Sequence, residues 1–155
     1  MPKLHSYKAT ITWTGNTGRG TQSYKSYERS HTILVQNKAD ILASSDPAFV
    51  GDPSKHNPEE LLLASLSGCH MLWYLHLCSA HGITVVEYTD EASGTMQESE
   101  TTGGHITEVI LRPRVTITDE AQIMRANELH KEANHMCFIA NSCNFPVRHE
   151  PICKV

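Results

Sequence analysis

A cysteine attacks, oxidises or binds a metal as its thiolate, and two of the five cysteines in this sequence, Cys69 and Cys137, fall on helix-like segments at the edge of apolar stripes. As buried thiols they would be inert packing residues. As a pair they could carry redox chemistry. Lowering a thiol pKa from about 8.5 to about 6 takes roughly 3 kcal/mol of preferential stabilisation of the anion. Cys69 stands near the middle of its helix, beyond reach of the positive N-terminal end, so a nearby cation must supply this. Arginine suits the task, because it stays charged when partly buried and can bond a thiolate and a carboxylate together. Glu59 is the carboxylate best placed to orient such an arginine, although a favourable charge in the first helical turn would explain it equally well. It precedes Cys69 by ten residues, about 15 Å along a straight helix. The two share a site only if the helices of two copies run antiparallel, which would put that site at a dimer interface.

The helix that carries Cys69 is the element the chain is organised around. In NPEELLLASLSGCHMLWYLHLCSAHG, Asn57 can cap, Pro58 fits the first helical position and Glu60 closes a capping box. Gly82 ends it. Leu61, Leu62, Leu63, Leu66, Met71, Leu72, Trp73, Leu75 and Leu77 point in nearly every direction around a 3.6-residue period, which predicts a helix buried on all sides. A membrane span needs a similar length, but Ser65, Ser67, Gly68, His70 and His76 interrupt the run and no basic cluster flanks it. No membrane association is expected.

Before this helix, residues 7–13 alternate apolar and polar with the period of a half-buried strand, GNTGRG reads as a turn, and residues 21–27 and 31–36 are strand-like. Residues 44–56 read as a loop. After it, residues 83–96 and 105–117 are long strand candidates joined by a hairpin through ESETTGG. Val109, Leu111, Val115 and Ile117 share the buried face of the second, and Pro113 requires an edge or a bulge. A second helix is predicted from Asp119, with Gln122 as its capping partner and Ala126, Leu129, Ala133, Met136 or Cys137, and Ala140 on one stripe. Residues 147–155 read as a last strand. Strands joined by short connections imply antiparallel pairing, so the class is α+β within a single domain, residues 1–155. A sheet on one side cannot cover the central helix all round. An obligate homodimer, with antiparallel sheets wrapped around two packed central helices, resolves the mismatch.

The formal charge of −4, without a basic run, argues against a nucleic-acid partner. The N-terminus lacks the apolar core of a signal peptide, and a cytoplasmic location is expected. Five cysteines cannot all pair within one chain, and in a reducing compartment they rest as thiols. His130, His135 and Cys137 have a spacing that matches none of the familiar zinc patterns, so no metal is expected. Cys78 and Cys153 read as packing residues. Cys143 is a positional rival to Cys137, and His70, about 100° around the helix from Cys69, reads as a hydrogen-bonded core histidine.

The segments NPEELLLASLSGCH and HKEANHMCFIANSCNFPV together resemble the two signature segments of the OsmC/Ohr family of thiol-dependent peroxidases. The order of strands and helices agrees along the whole chain. The resemblance implies an intertwined α+β homodimer that reduces organic hydroperoxides with two cysteines and without a cofactor. Cys69 matches the peroxidatic cysteine, Cys137 the resolving one and Glu59 the arginine-orienting glutamate. A dithiol of the dihydrolipoamide type is the implied reductant. The activating arginine of OsmC-type members lies in the loop before NPEE, where this chain reads DPAFVGD with Val50. In Ohr-type members it lies in a glycine turn near the N-terminus, which Arg19 of GRG matches; Arg29 of YERSH is the other candidate. The alternative is a non-catalytic protein of this fold that holds a hydrophobic small molecule in the dimer cleft.

Overall fold

The computed structural model describes residues 1–155 and resolves into two compact units, residues 1–61 and 62–155. The first holds a three-stranded antiparallel sheet of β1 (Thr10–Trp13), β2 (His31–Leu34) and β3 (Ile41–Ala43). The strands are shorter than the alternation of residues 7–13 and 31–36 suggests, and β3 carried no pattern long enough to be predicted. Residues 21–27 form turns instead of the expected strand. The reason is local competition for backbone groups: Ser26 Oγ donates to the carbonyls of Gly20 and Ser23, Thr17 Oγ1 donates to Ser26 O, and Asn16 Oδ1 accepts from the amides of Gly18 and Gly20. Side chains that satisfy the backbone this way offer it an alternative to a sheet ladder.

Helix α1 (Pro58–Ala80) starts and stops where the sequence predicts. Asn57 Oδ1 accepts from the Glu60 amide at 2.9 Å, and Glu60 Oε2 accepts from the Asn57 amide at 3.3 Å, so the capping box is formed in both directions. At the other end Gly82 takes a φ of 69°, the left-handed conformation that glycine adopts without a Cβ penalty. The expectation of burial on all sides is not met within one chain. Leu66, His70, Tyr74 and Cys78 form one buried stripe at four-residue spacing, while Leu72 is 64% exposed. The strands of residues 62–155 pack on one side of the helix only, as a sheet must.

In this second unit each long strand candidate is broken in two. Residues 83–96 become β4 (Val85–Asp90) and β5 (Ser93–Gln97), residues 105–117 become β6 (His105–Leu111) and β7 (Pro113–Ile117), and the C-terminal run becomes β8 (Val147–His149) and β9 (Ile152–Lys154). The halves sort into two sheets, β4-β7-β9 and β5-β6-β8. All three breaks fall at one corner, for a chemical reason. Pro113 and Pro151 have no amide to give to a ladder. Asp90 Oδ1 takes the Arg112 amide at 2.6 Å while its Oδ2 accepts from Ser67 Oγ at 2.5 Å, and the Glu150 amide goes to Leu111 O at 2.8 Å. β4–β7 and β5–β6 are antiparallel as expected, but β8 and β9 run parallel to β6 and β7. The chain reaches them through a helical crossover, which delivers a strand in the parallel sense.

That crossover is α2 (Ile123–Met136). Asp119 caps the 3-10 turn Glu120–Gln122 through the Ala121 amide at 3.0 Å, and Gln122 turns away from it to donate to Gly82 O at 3.3 Å. Ala126, Leu129, Ala133 and Cys137 bury the predicted stripe, whereas Met136 is exposed and Ala140 lies in a separate 3-10 turn, Ala140–Ser142. Two apolar clusters result. Tyr74, Cys78, Val115, Ile117 and Leu129 anchor the first, and Leu66, Val109 and Leu111 the second.

Candidate active site

Cys69 lies half-buried on α1, and Cys137 lies buried where α2 ends. The backbone of Cys137 leaves the helix at ψ 110°, its amide still bonded to Asn134 O at 3.3 Å. This termination aims the side chain inward. Its Sγ accepts from the Ala140 amide at 3.4 Å and lies in the neighbourhood of the Cys69 thiol. Burial first, and the contact with Cys69 second, push the Cys137 thiol up to about 11. It is therefore protonated at neutral pH, and of the two sulfurs the half-buried Cys69 is the one open to a substrate. The pair expected from the sequence is thus brought together inside residues 62–155.

The rival thiol Cys143 is engaged elsewhere: its Sγ donates to Ile139 O at 3.2 Å and it packs on the second apolar cluster. Cys78 and Cys153 pack in the first cluster, and burial raises the pKa of each. His130 and Cys137 face the core while His135 faces solvent, so these three residues share no site.

Glu59, Arg19 and Arg29 belong to residues 1–61. Glu59 stands in the first turn of α1 with a buried Oε2 that has no hydrogen-bond partner. Arg19 is exposed between Gly18 (φ 109°) and Gly20 (φ 53°). Arg29 is committed to its own turn: its guanidinium stacks on the rings of Tyr27 and Tyr24 at 4.0 and 4.4 Å and donates to their carbonyls at 2.7 and 2.6 Å. Val50, in the loop before α1, holds a φ of 63° and is exposed. This is an unusual conformation for a β-branched residue.

Sequence reading placed His70 in the core but missed its company. His70 Nε2 and His130 Nδ1 are hydrogen-bonded at 3.0 Å, and His149 of β8 lies beside both rings at centroid distances of 5.7 and 6.4 Å. The available signal was the position of His130 itself, next to Leu129 and four residues after Ala126 on the buried stripe of α2.

Two split sheets packed on one side of an apolar helix, with one thiol on that helix and another at the end of the crossover helix, define an α+β architecture of the OsmC/Ohr type. The family description OsmC-like protein matches residues 51–151, and the chain belongs to that family. A structure of an OsmC-like protein of unknown function from Vibrio cholerae is 32% identical, with a TM-score of 0.86 over 96% of this chain and 100% of that one. More distant structures share the fold. An organic hydroperoxide resistance protein from Elizabethkingia anophelis is 19% identical, with a TM-score of 0.72 over 99% of both chains. The organic hydroperoxide resistance protein OhrB of Bacillus subtilis is 19% identical, with a TM-score of 0.65 over 97% of this chain and 100% of that one. No curated protein matches the chain.

Proposed function

We propose that this protein is a thiol-dependent peroxidase that reduces organic hydroperoxides to alcohols through two cysteines. The observation that carries this reading is the proximity of Cys69 on α1 to Cys137 at the end of α2, two thiols far apart in sequence and neighbours in the fold. In the first step the Cys69 thiolate attacks the terminal oxygen of the peroxide. The O–O bond breaks, the sulfur is oxidised to a sulfenic acid, and the alkoxide leaves as the alcohol after taking a proton. In the second step the Cys137 sulfur attacks the sulfenic sulfur, an S–S bond forms and water leaves. A small dithiol of the dihydrolipoamide type then reduces the disulfide by thiol–disulfide exchange. The reaction requires no cofactor or metal.

Glu59 and Arg19 are assigned to activation of Cys69. The buried Glu59 oxygen without a partner is suited to a guanidinium, and Arg19 is exposed and free of the turn contacts that hold Arg29. The complete site is assigned to a homodimer. Exposed apolar residues on α1 and on the first sheet, Leu72, Ile11 and Trp13 among them, support a partner copy as their cover. A cytoplasmic location accords with thiols that work by cycling.

The test is to expose the fully reduced protein to one equivalent of cumene hydroperoxide and map its cysteines by peptide mass spectrometry. A Cys69–Cys137 disulfide should form within seconds, with loss of the peroxide, and Cys69→Ser should abolish both. Persistence of the peroxide with both thiols reduced would overturn the proposal.

A further inference from the structure

We infer that the buried His70–His130 pair is a positioning device that holds α1 against α2 at the separation that makes Cys69 and Cys137 neighbours. This rests on the two-cysteine reading above and adds to it residues that touch neither substrate nor sulfur chemistry.

The placement is the first argument. His70 directly follows Cys69 on α1, and His130 precedes Cys137 by seven residues, two turns of α2, so the imidazole and the thiol of each helix are fixed by the same stretch of backbone. The geometry is the second. The rings lie within 10° of one plane, with centroids 5.3 Å apart and a 3.0 Å bond between His70 Nε2 and His130 Nδ1. Tyr74, one turn beyond His70 on α1, stacks on the His130 ring at 3.8 Å and 8°. Helix α1 therefore grips this imidazole of α2 by its edge and by its face.

Burial is the third argument. The side chains are 1% and 0% exposed, and the outer nitrogens, His70 Nδ1 and His130 Nε2, have no other partner. An apolar pair would fill the space without the desolvation penalty that two imidazoles incur. What an apolar pair lacks is direction, because a single hydrogen bond between rigid rings sets both distance and rotation. The resolving step needs that setting. Cys137 must reach the far side of the sulfenic sulfur in line with the departing oxygen, and misplacement by about 1 Å can cost on the order of a hundredfold in rate.

The atoms in the bond define the test. His70 bonds through Nε2, which glutamine mimics and asparagine does not reach; His130 bonds through Nδ1, which asparagine mimics. Sulfenic acid formation at Cys69 is followed by trapping with dimedone, and disulfide formation by loss of free thiol, each after one equivalent of cumene hydroperoxide. In His70→Leu and His130→Leu, disulfide formation should slow by about tenfold or more while sulfenic acid appears at the wild-type rate, as expected for lost alignment. His70→Gln and His130→Asn should restore it. If the leucine variants do not fold, His70→Asn against His70→Gln makes the same comparison with polarity conserved, the shorter amide being the slow one. Equal disulfide rates in folded Leu, Asn and Gln variants would overturn the positioning role and leave the two-cysteine reading intact. Failure of the wild-type protein itself to form the Cys69–Cys137 disulfide would overturn the reading beneath it.

Discussion

At the scale of single residues, the two thiols differ in surroundings more than in position. Cys137 is buried, accepts a backbone hydrogen bond and has its thiol pushed up to about 11, whereas Cys69 is half-buried. At pH 8 a thiol of that pKa is roughly 0.1% ionised, and alkylation proceeds through the thiolate. Iodoacetamide should therefore modify Cys69 in the reduced native protein while Cys137 reacts at least about tenfold more slowly, a difference that peptide mass spectrometry can follow and that denaturation should erase. Equal native rates would contradict the burial of Cys137.

At the scale of elements, α1 shows how far local chemistry reaches. Asn57, Pro58 and Glu60 set its start, and both hydrogen bonds of the box are present. Replacing Asn57 by Ala removes the side-chain acceptor and leaves the Glu60 amide without its partner, so unfolding free energy should drop by about 1 kcal/mol in urea titrations. The strands follow a different logic. A continuous apolar pattern cannot reveal that a strand changes sheets, because both halves keep the same alternation. The breaks at Arg112–Pro113 and Glu150–Pro151 depend on Asp90 and Leu111 offering acceptors from elsewhere in the sequence. The prolines marked the places, and the acceptors gave them meaning.

At the scale of the whole molecule, two buried histidines, His70 and His130, and the half-buried His149 couple the fold to pH. Burial is the main cause for each. It holds His70 down to about 4 with help from His149, and His130 down to about 3 with help from His70 and His149; His149 is lowered as well. In the unfolded chain these groups titrate near 6.5. Below that value the unfolded chain binds protons that the folded chain refuses. Stability is therefore complete above about pH 6.5 and falls as the pH drops towards 4, by an amount on the order of a few kcal/mol. Urea midpoints measured between pH 7.5 and 5 should decline, and the decline should shrink in a folded His70→Gln variant. A midpoint independent of pH would show that the histidines are solvated.

The sequence by itself determined the caps of α1, the buried stripe of α2, the inward face of β6 and β7, and the two signature segments that mark the family. All of these depend on spacing within one segment, and spacing is what a sequence records. Tertiary structure alone decided that Cys143 turns to the Ile139 carbonyl, that Arg29 is held by Tyr24 and Tyr27, that His70 bonds His130, and that β8 and β9 run parallel to their neighbours. The last two join residues distant along the chain, and such partners are chosen by the packing of whole elements, whose free energy no local pattern contains.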